Sequence, residues 1–226
     1  MSVDAHAELL NVYDAEGRAI GVLRRAQAKA SGLAVGAVNA LLCNSHGEVL
    51  LQQRLPGKEN GGLWDKSVGG HVAAGEDFDV TAVRETGEEL FTRADSACVH
   101  LASTDTDFEQ LRGSLDLDDA VLLKRMDLHL NVRDVRHVPG GGVLNVLYHV
   151  ATYGGLTDVP LEGFRPQAAE LAALRYVSPA EVDRLLLAGQ LAPNMAFLWL
   201  RHGHDVLAGQ GVGPELESSV DRDLVG

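Results

Sequence analysis

The sequence predicts an α/β fold, with helices packed on a mixed β-sheet as a sandwich. Three observations carry this expectation. Short apolar runs bounded by Gly, Asn and Asp turn signals recur early in the chain and again at 128–152, as strands do. Helical patterns lie between and after these runs, at 77–90, 180–188 and 193–202. Hydrophobic residues make up 46% of 226 residues, adequate core for one domain of ordinary to large size. No internal repeat interrupts this organisation.

The elements follow in order. Residues 8–23 alternate short apolar pairs around Asp14-Ala15-Glu16-Gly17, a turn signal, and read as an N-terminal hairpin over about 8–24. Residues 36–43 and 49–54 flank a second hairpin signal, Asn44-Ser45-His46-Gly47-Glu48. Residues 63–72 carry glycines and a short strand. A helix is expected to start at Asp77, a good N-cap, and to run to about Leu90. Gly87 inside it costs about 1 kcal/mol relative to Ala, so tertiary packing or a ligand contact is expected to hold that helix. Residues 98–103 read as a strand. The acidic, partly helical segment at about 104–126 reads as an insertion, a loop with a helix. Leu128, Leu130 and Val132 alternate as a strand, Pro139-Gly140-Gly141-Gly142 reads as a turn, and 143–152 as another strand. Residues 171–177 lead into Ser178-Pro179-Ala180-Glu181, a helix start with Pro in its first turn. The division expected is one domain over 1–208 and an acidic, flexible tail over 209–226.

The formal net charge of −13 argues against nucleic acid as a main partner, because backbone binding depends on Lys and Arg. Cys43 and Cys98 are the only cysteines, too few for a disulfide framework, which points to a reducing compartment. There is no apolar run of membrane length, and the first residues are acidic and polar. The expectation is a cytoplasmic protein with no membrane partner.

The most informative stretch is 69–92, GGHVAAGEDFDVTAVRETGEELFT. Glu85, Glu88 and Glu89 fall on one helix face, where like charges repel. A hard divalent cation relieves that repulsion, taking oxygen ligands and completing its shell with waters and substrate phosphates. The segment therefore suggests metal-dependent phosphate chemistry.

The wider spacing resembles the Nudix box, G-x5-E-x7-R-E-U-x-E-E-x-G-U, with U a bulky aliphatic residue. Gly70, Glu76, Arg84, Glu85, Glu88 and Glu89 match it. Thr86 stands where an aliphatic residue is usual, Phe91 replaces the closing glycine, and Thr92 replaces the last aliphatic residue. These departures fall on packing and on the helix exit, and leave the loop path after the helix open. The resemblance implies an α/β/α sandwich with a mixed β-sheet. It implies that Glu85, Glu88 and Glu89 hold Mg²⁺ or Mn²⁺, with the carbonyl of Gly69 or Gly70 nearby. It also implies hydrolysis of a phosphoanhydride bond in a small phosphorylated molecule, such as a nucleoside di- or triphosphate or a nucleoside diphosphate linked to another moiety. Arg84 is expected to pair with carboxylates such as Glu76 and not to touch substrate. Two residues stand as general base, Glu85 in the box and Glu170 on a later loop; Asp127 and His129 are further candidates. Family members are often dimers, and the N-terminal hairpin is a candidate interface.

Upstream, residues 50–71 are similar to the matching segment of isopentenyl diphosphate isomerase, itself built on the Nudix fold. Arg54, Lys58, Trp64, Ser67 and His71 match its pattern. That likeness implies diphosphate contacts for Arg54 and Lys58, against a reading as plain surface charge. His71 stands as substrate contact or structural hydrogen bond, and Trp64 and Tyr148 as base-recognition or core residues. The isomerase chemistry itself needs a cysteine where this chain has Gly69, and metal-binding histidines where it has Ala28 and Val35. The expectation is a hydrolase of the isomerase-like branch. The alternatives are a non-catalytic nucleotide sensor and an isoprenoid diphosphate isomerase.

Overall fold

A computed structural model of the chain describes residues 8–57, 59–92, 97–138, 142–166 and 171–208. In order, these form β1 (Leu9–Tyr13), β2 (Ala19–Arg24), α1 (Arg25–Ala30), β3 (Ala34–Cys43), β4 (Val49–Arg54), β5 (Trp64–Asp65), β6 (Val68–His71) and α2 (Phe78–Phe91). There follow β7 (Val99–Ala102), α3 (Asp105–Ser114), β8 (Val121–Val138), β9 (Gly142–Leu156), β10 (Leu171–Val177), α4 (Pro179–Leu187) and α5 (Pro193–Ala208). The expected mixed α/β fold is present. Residues 139–141 of the expected Pro-Gly turn and the tail at 209–226 lie outside the described residues.

The strands form one sheet in the order β10-β4-β3-β9-β8-β7. β3 lies parallel to β9 and antiparallel to β4 and β6, so the sheet is mixed. β3 is nearly all buried, as a near-continuous apolar run in a central strand should be. Its side chains divide by the period of two. Val38, Ala40 and Leu42 join Ala82 and Leu90 of α2 in one cluster. Leu41 and Cys43 join Val182 and Leu185 of α4 and Met195, Leu198 and Trp199 of α5 in another. Two helical layers therefore cover opposite faces of the sheet. A third cluster, with Leu10, Val12, Val35 and Tyr148, lies under the N-terminal hairpin.

The helix starts follow their capping residues. Asp77 accepts a hydrogen bond from the N–H of Val80 at 2.8 Å, and Ser178 caps α4 ahead of Pro179. α2 is further tied to the sheet through Asp79, which accepts from the Tyr153 hydroxyl at 2.7 Å. The segment expected as an insertion does contain a helix, α3, capped by Thr104. Its last part differs from expectation: β8 already begins at Val121, pairing in parallel with β7 and antiparallel with β9. Val121, Leu122 and Leu123 are fully buried, and a short apolar run of this kind lacks the alternation by which strands are recognised. Both cysteines are free and buried. Among the described residues, no helix is long and apolar enough to cross a membrane.

One join positions the site. β3 and β4 are paired only at Cys43 and Val49, and then diverge. The chain at 64–71 enters the gap, β5 pairing with β4 and β6 with β3. Ser67 stitches the split: its hydroxyl accepts from the N–H of Leu42 at 2.8 Å and donates to the carbonyl of Leu50 at 2.6 Å. Ser67 is fully buried, so its removal leaves both backbone groups without that partner. We expect Ser67→Ala to lower stability by about 2 kcal/mol in urea denaturation, with the slope unchanged. An unchanged midpoint would show that the stitch is dispensable.

Candidate active site

The site is built where α2 crosses β6. Asn11 of β1 fixes the turn between them. Its amide group donates to the carbonyls of Ala73 (3.1 Å) and Glu76 (2.9 Å), and its side-chain oxygen accepts from the N–H of Gly75 (3.4 Å). Gly75 has φ +84°, a left-handed conformation that suits glycine. α2 then lies against the glycines of β6. A Cβ added at Gly70 would sit 2.1 Å from the Glu85 carboxyl carbon, so the carboxylate occupies space that any side chain at 70 would take. The N–H of Gly69 donates to Glu89 Oε2 at 3.1 Å. Thus two of the three expected glutamates are seated directly on the glycine strand. Glu88, one turn from Arg84, is the more open, its side chain 38% exposed against 14% for Glu85.

Arg84 organises this face as the spacing suggested. It makes a two-pronged pair with Glu76, Nε to Oε1 at 2.8 Å and Nη2 to Oε2 at 3.0 Å. Its Nη1 lies 3.0 Å from Glu88 and 3.1 Å from Glu85. Thr81 donates to Glu76 as well, at 2.8 Å. Burial works against the Glu76 charge, but Arg84 and Thr81 outweigh it and hold the carboxyl below its usual range. The other two carboxyls go the opposite way. Burial pushes Glu85 up to about 7; Arg84 opposes this and Glu88 adds to it. Glu89 is pushed up to about 8, by burial and then by the charge of Glu85, despite the Gly69 N–H and Lys66.

Lys66 is a residue that the sequence reading missed. It is 5% exposed and lies 3.3 Å from Asp65, which is itself 1% exposed. Its Cε would lie 2.3 Å from a Cβ at Gly69, so Gly69 makes room for this lysine. Asp65 also pairs with Arg54 at 3.1 Å. Burial raises the Asp65 pKa, but Lys66 and Arg54 outweigh it and keep the carboxyl low. Nothing in its local sequence beyond the neighbouring Asp65 marks it out from a surface lysine.

The remaining predicted residues are spread. Arg54 lies at the end of β4, its Nε bonded to the Glu59 carbonyl at 2.6 Å. His71 stands beside Gly70 on β6 and meets the buried Tyr148 hydroxyl at 3.5 Å. Trp64 packs with the α4–α5 cluster, and Arg175 covers its ring at 4.7 Å. Asp127 and His129 of β8 meet α5, on the sheet face opposite α2, apart from the glutamates. Lys58 and Glu170 lie outside the described residues.

The departures from the box have local causes. Thr86 is fully buried, and its hydroxyl is satisfied by the carbonyl of Ala82 at 2.7 Å. Thr92, not a glycine, takes the left-handed position after the helix, with φ +54°. Its hydroxyl donates to the carbonyl of Arg165, and the N–H of Arg165 donates to Leu90 O at 2.7 Å. Phe91 packs on Phe164 with ring centroids 5.6 Å apart. A neighbouring segment thus closes the helix exit in place of glycine.

These residues fit a hard divalent cation. Glu85, Glu88 and Glu89 offer only oxygen donors, and the crowding of like charge in a partly buried place is what such an ion relieves. The isomerase set does not fit: Ala28 and Val35 are buried apolar residues, and Gly69 has no side chain.

A family model described as NUDIX domain matches residues 33–198. An uncharacterized Nudix hydrolase of Pseudomonas aeruginosa is 41% identical over 88 residues, 38% of this chain and 52% of that protein. An isopentenyl-diphosphate Delta-isomerase of Burkholderia multivorans is 34% identical over 84 residues, 37% of this chain and 48% of that protein. The matched regions therefore span only about half the length of these curated relatives. The crystal structure of DR0079 from Deinococcus radiodurans superposes with a TM-score of 0.59 at 20% identity, over 86% of this chain and 98% of that one, a likeness of fold.

The raised carboxyls set a pH dependence. Glu89 binds its proton more tightly when folded, about 8 against an ordinary 4.5, and Glu85 does so at about 7. Between those values the folded chain holds more protons than the unfolded one, so stability falls as pH rises. In chelator, the melting temperature should fall with rising pH across this window, and less steeply in Glu89→Gln. Parallel curves for the two proteins would show that Glu89 titrates normally.

Proposed function

Since the chain belongs to the Nudix family, we propose that it is a divalent-cation-dependent hydrolase of a phosphoanhydride bond. Its substrate class is a nucleoside diphosphate linked to another moiety, or a nucleoside di- or triphosphate. The observation that carries this reading is the seating of Glu85 and Glu89 on the β6 glycines, with Arg84 bound to Glu76 and reaching Glu85 and Glu88 beside them. In this reading the three glutamates hold Mg²⁺, or Mn²⁺ in its place, with the Gly69 or Gly70 carbonyl nearby. The bound cation supplies charge screening for phosphate oxygens and a more acidic water. The chain's own residues do the rest.

Arg84 is a positioning residue; its fork keeps Glu76, Glu85 and Glu88 in one arrangement. Glu85 is the proton acceptor favoured among the described residues, because its carboxylate is seated on the Gly70 strand, where a water held by the cation would stand. Arg54, anchored by Asp65 and the Glu59 carbonyl, presents a guanidinium to a diphosphate, with Lys58 as its partner in that role. His71 borders the substrate from β6, while Trp64 packs with the α4–α5 cluster on the other face of the sheet. The net charge of −13 argues against a nucleic acid as the main partner. Ile20 and Val22 of β2 are about half exposed on a sheet edge, which supports a homodimer through the hairpin.

The isomerase reading meets Gly69 at the place of its cysteine, and the apolar Ala28 and Val35 at the places of its metal histidines. The sensor reading calls for broken carboxylates, and all three are intact.

The test is phosphate release from a panel of nucleoside di- and triphosphates, sugar nucleotides and dinucleotides, with Mg²⁺, Mn²⁺ or chelator. We expect metal-dependent turnover of some member, lowered about 100-fold or more in Glu89→Gln, as loss of one transition-state charge stabiliser commonly does. Nucleotide binding without turnover of any member would replace the hydrolase with a sensor.

A further inference from the structure

A second cluster of ligand-type side chains lies on the other face of the sheet. Asp127 and His129 are two apart on β8, between two irregularities in its pairing with β9. One irregularity falls between Arg125 and Asp127, the other between His129 and Val132. Bulges re-aim side chains, and here the two residues meet His202 of α5. His129 Nε2 lies 2.9 Å from His202 Nε2 and 3.4 Å from Asp127 Oδ2. One ligand atom from each of the three lies within 4.8 Å of the other two.

Hydrogen bonding alone serves this arrangement poorly. An imidazole nitrogen offers either one lone pair or one N–H, so His129 Nε2 cannot bond fully to both neighbours. A cation between the three atoms satisfies all of them. Burial and then the neighbouring His129 lower the His202 pKa, and Arg201 acts in the same sense, while Asp127 and Asp205 oppose it. Phe197 packs edge-on against the His129 ring, centroids 5.4 Å apart at 82°, and holds it in place. Asp127 and His202 both line an open cleft of about 860 Å³ between β8 and α5, which gives an ion a way in.

Two nitrogens and one carboxylate oxygen differ in kind from the all-oxygen set on α2. Imidazole selects zinc-like transition metals, whereas Mg²⁺ prefers oxygen. We propose that Asp127, His129 and His202 form a second metal site, for a divalent transition metal of the Zn²⁺ class, joining β8 to α5. Three protein ligands leave a fourth position for water or an exogenous ligand. The site is independent of the hydrolase reading, since it shares no residue with the glutamates.

The test is equilibrium dialysis of the full chain against Zn²⁺ in excess Mg²⁺, with bound metal measured by elemental analysis and its ligands by zinc X-ray absorption. The wild type should retain one equivalent with imidazole scattering. Glu89→Gln should retain it too. His129→Gln and Asp127→Asn, both at partly exposed positions and checked for folding by circular dichroism, should lose it. No retained zinc in the wild type, equal retention in both folded variants, or a zinc shell of oxygen alone would each overturn the site.

Discussion

The absence of a side chain at Gly70 is the constraint on which the site depends. It lets α2 bring the Glu85 carboxylate onto β6 itself, where a Cβ would otherwise stand. Gly69 makes room for Lys66 in the same way, and its N–H meets Glu89. The helix and the strand thus approach closely enough to hold carboxylates in a partly buried place. The same approach raises two of them well above the usual carboxylate range. The fold here works against its own electrostatics, as expected where residues are placed for chemistry more than for stability.

The surrounding structure offsets that conflict through fixed polar contacts. Arg84 binds Glu76 with both prongs and touches Glu85 and Glu88, so one cation orders three acids. Lys66 brings a second positive charge from below the glycines and is itself held by Asp65. Ser67, between Lys66 and β6, closes the split of β3 from β4. Asn11 sets the turn into α2 from the N-terminal hairpin. Helix, glycine strand and hairpin therefore act as one unit around the carboxylates.

Much of this was legible in the sequence where the pattern is local. Helix periodicity put Glu85, Glu88 and Glu89 on one face, and Asp77 and Ser178 marked helix starts that the capping geometry reproduces. What was not legible depends on distant partners. The exit of α2 is settled by Arg165 and Phe164, more than seventy residues away, so the missing glycine in the sequence could not tell its path. Lys66 reads as an ordinary surface lysine until Asp65 and Gly69 are seen around it. Val121–Leu123 lacks alternation because both faces of that strand are covered. His202 has no sequence link to Asp127 and His129; only the bulges of β8 and the docking of α5 bring them together.

The most direct measurement is a calorimetric Mg²⁺ titration of the wild type and Gly70→Ala. Gly70 does not have a positive φ, so alanine fits the backbone, and the end of the flexible Glu85 side chain is what must yield. The account predicts a folded variant of near-normal stability whose Mg²⁺ affinity is about 10- to 100-fold weaker, the range seen when a ligand's orientation is lost. Equal Mg²⁺ binding by the two proteins would contradict the claim that contact between α2 and the glycine strand makes the cation site.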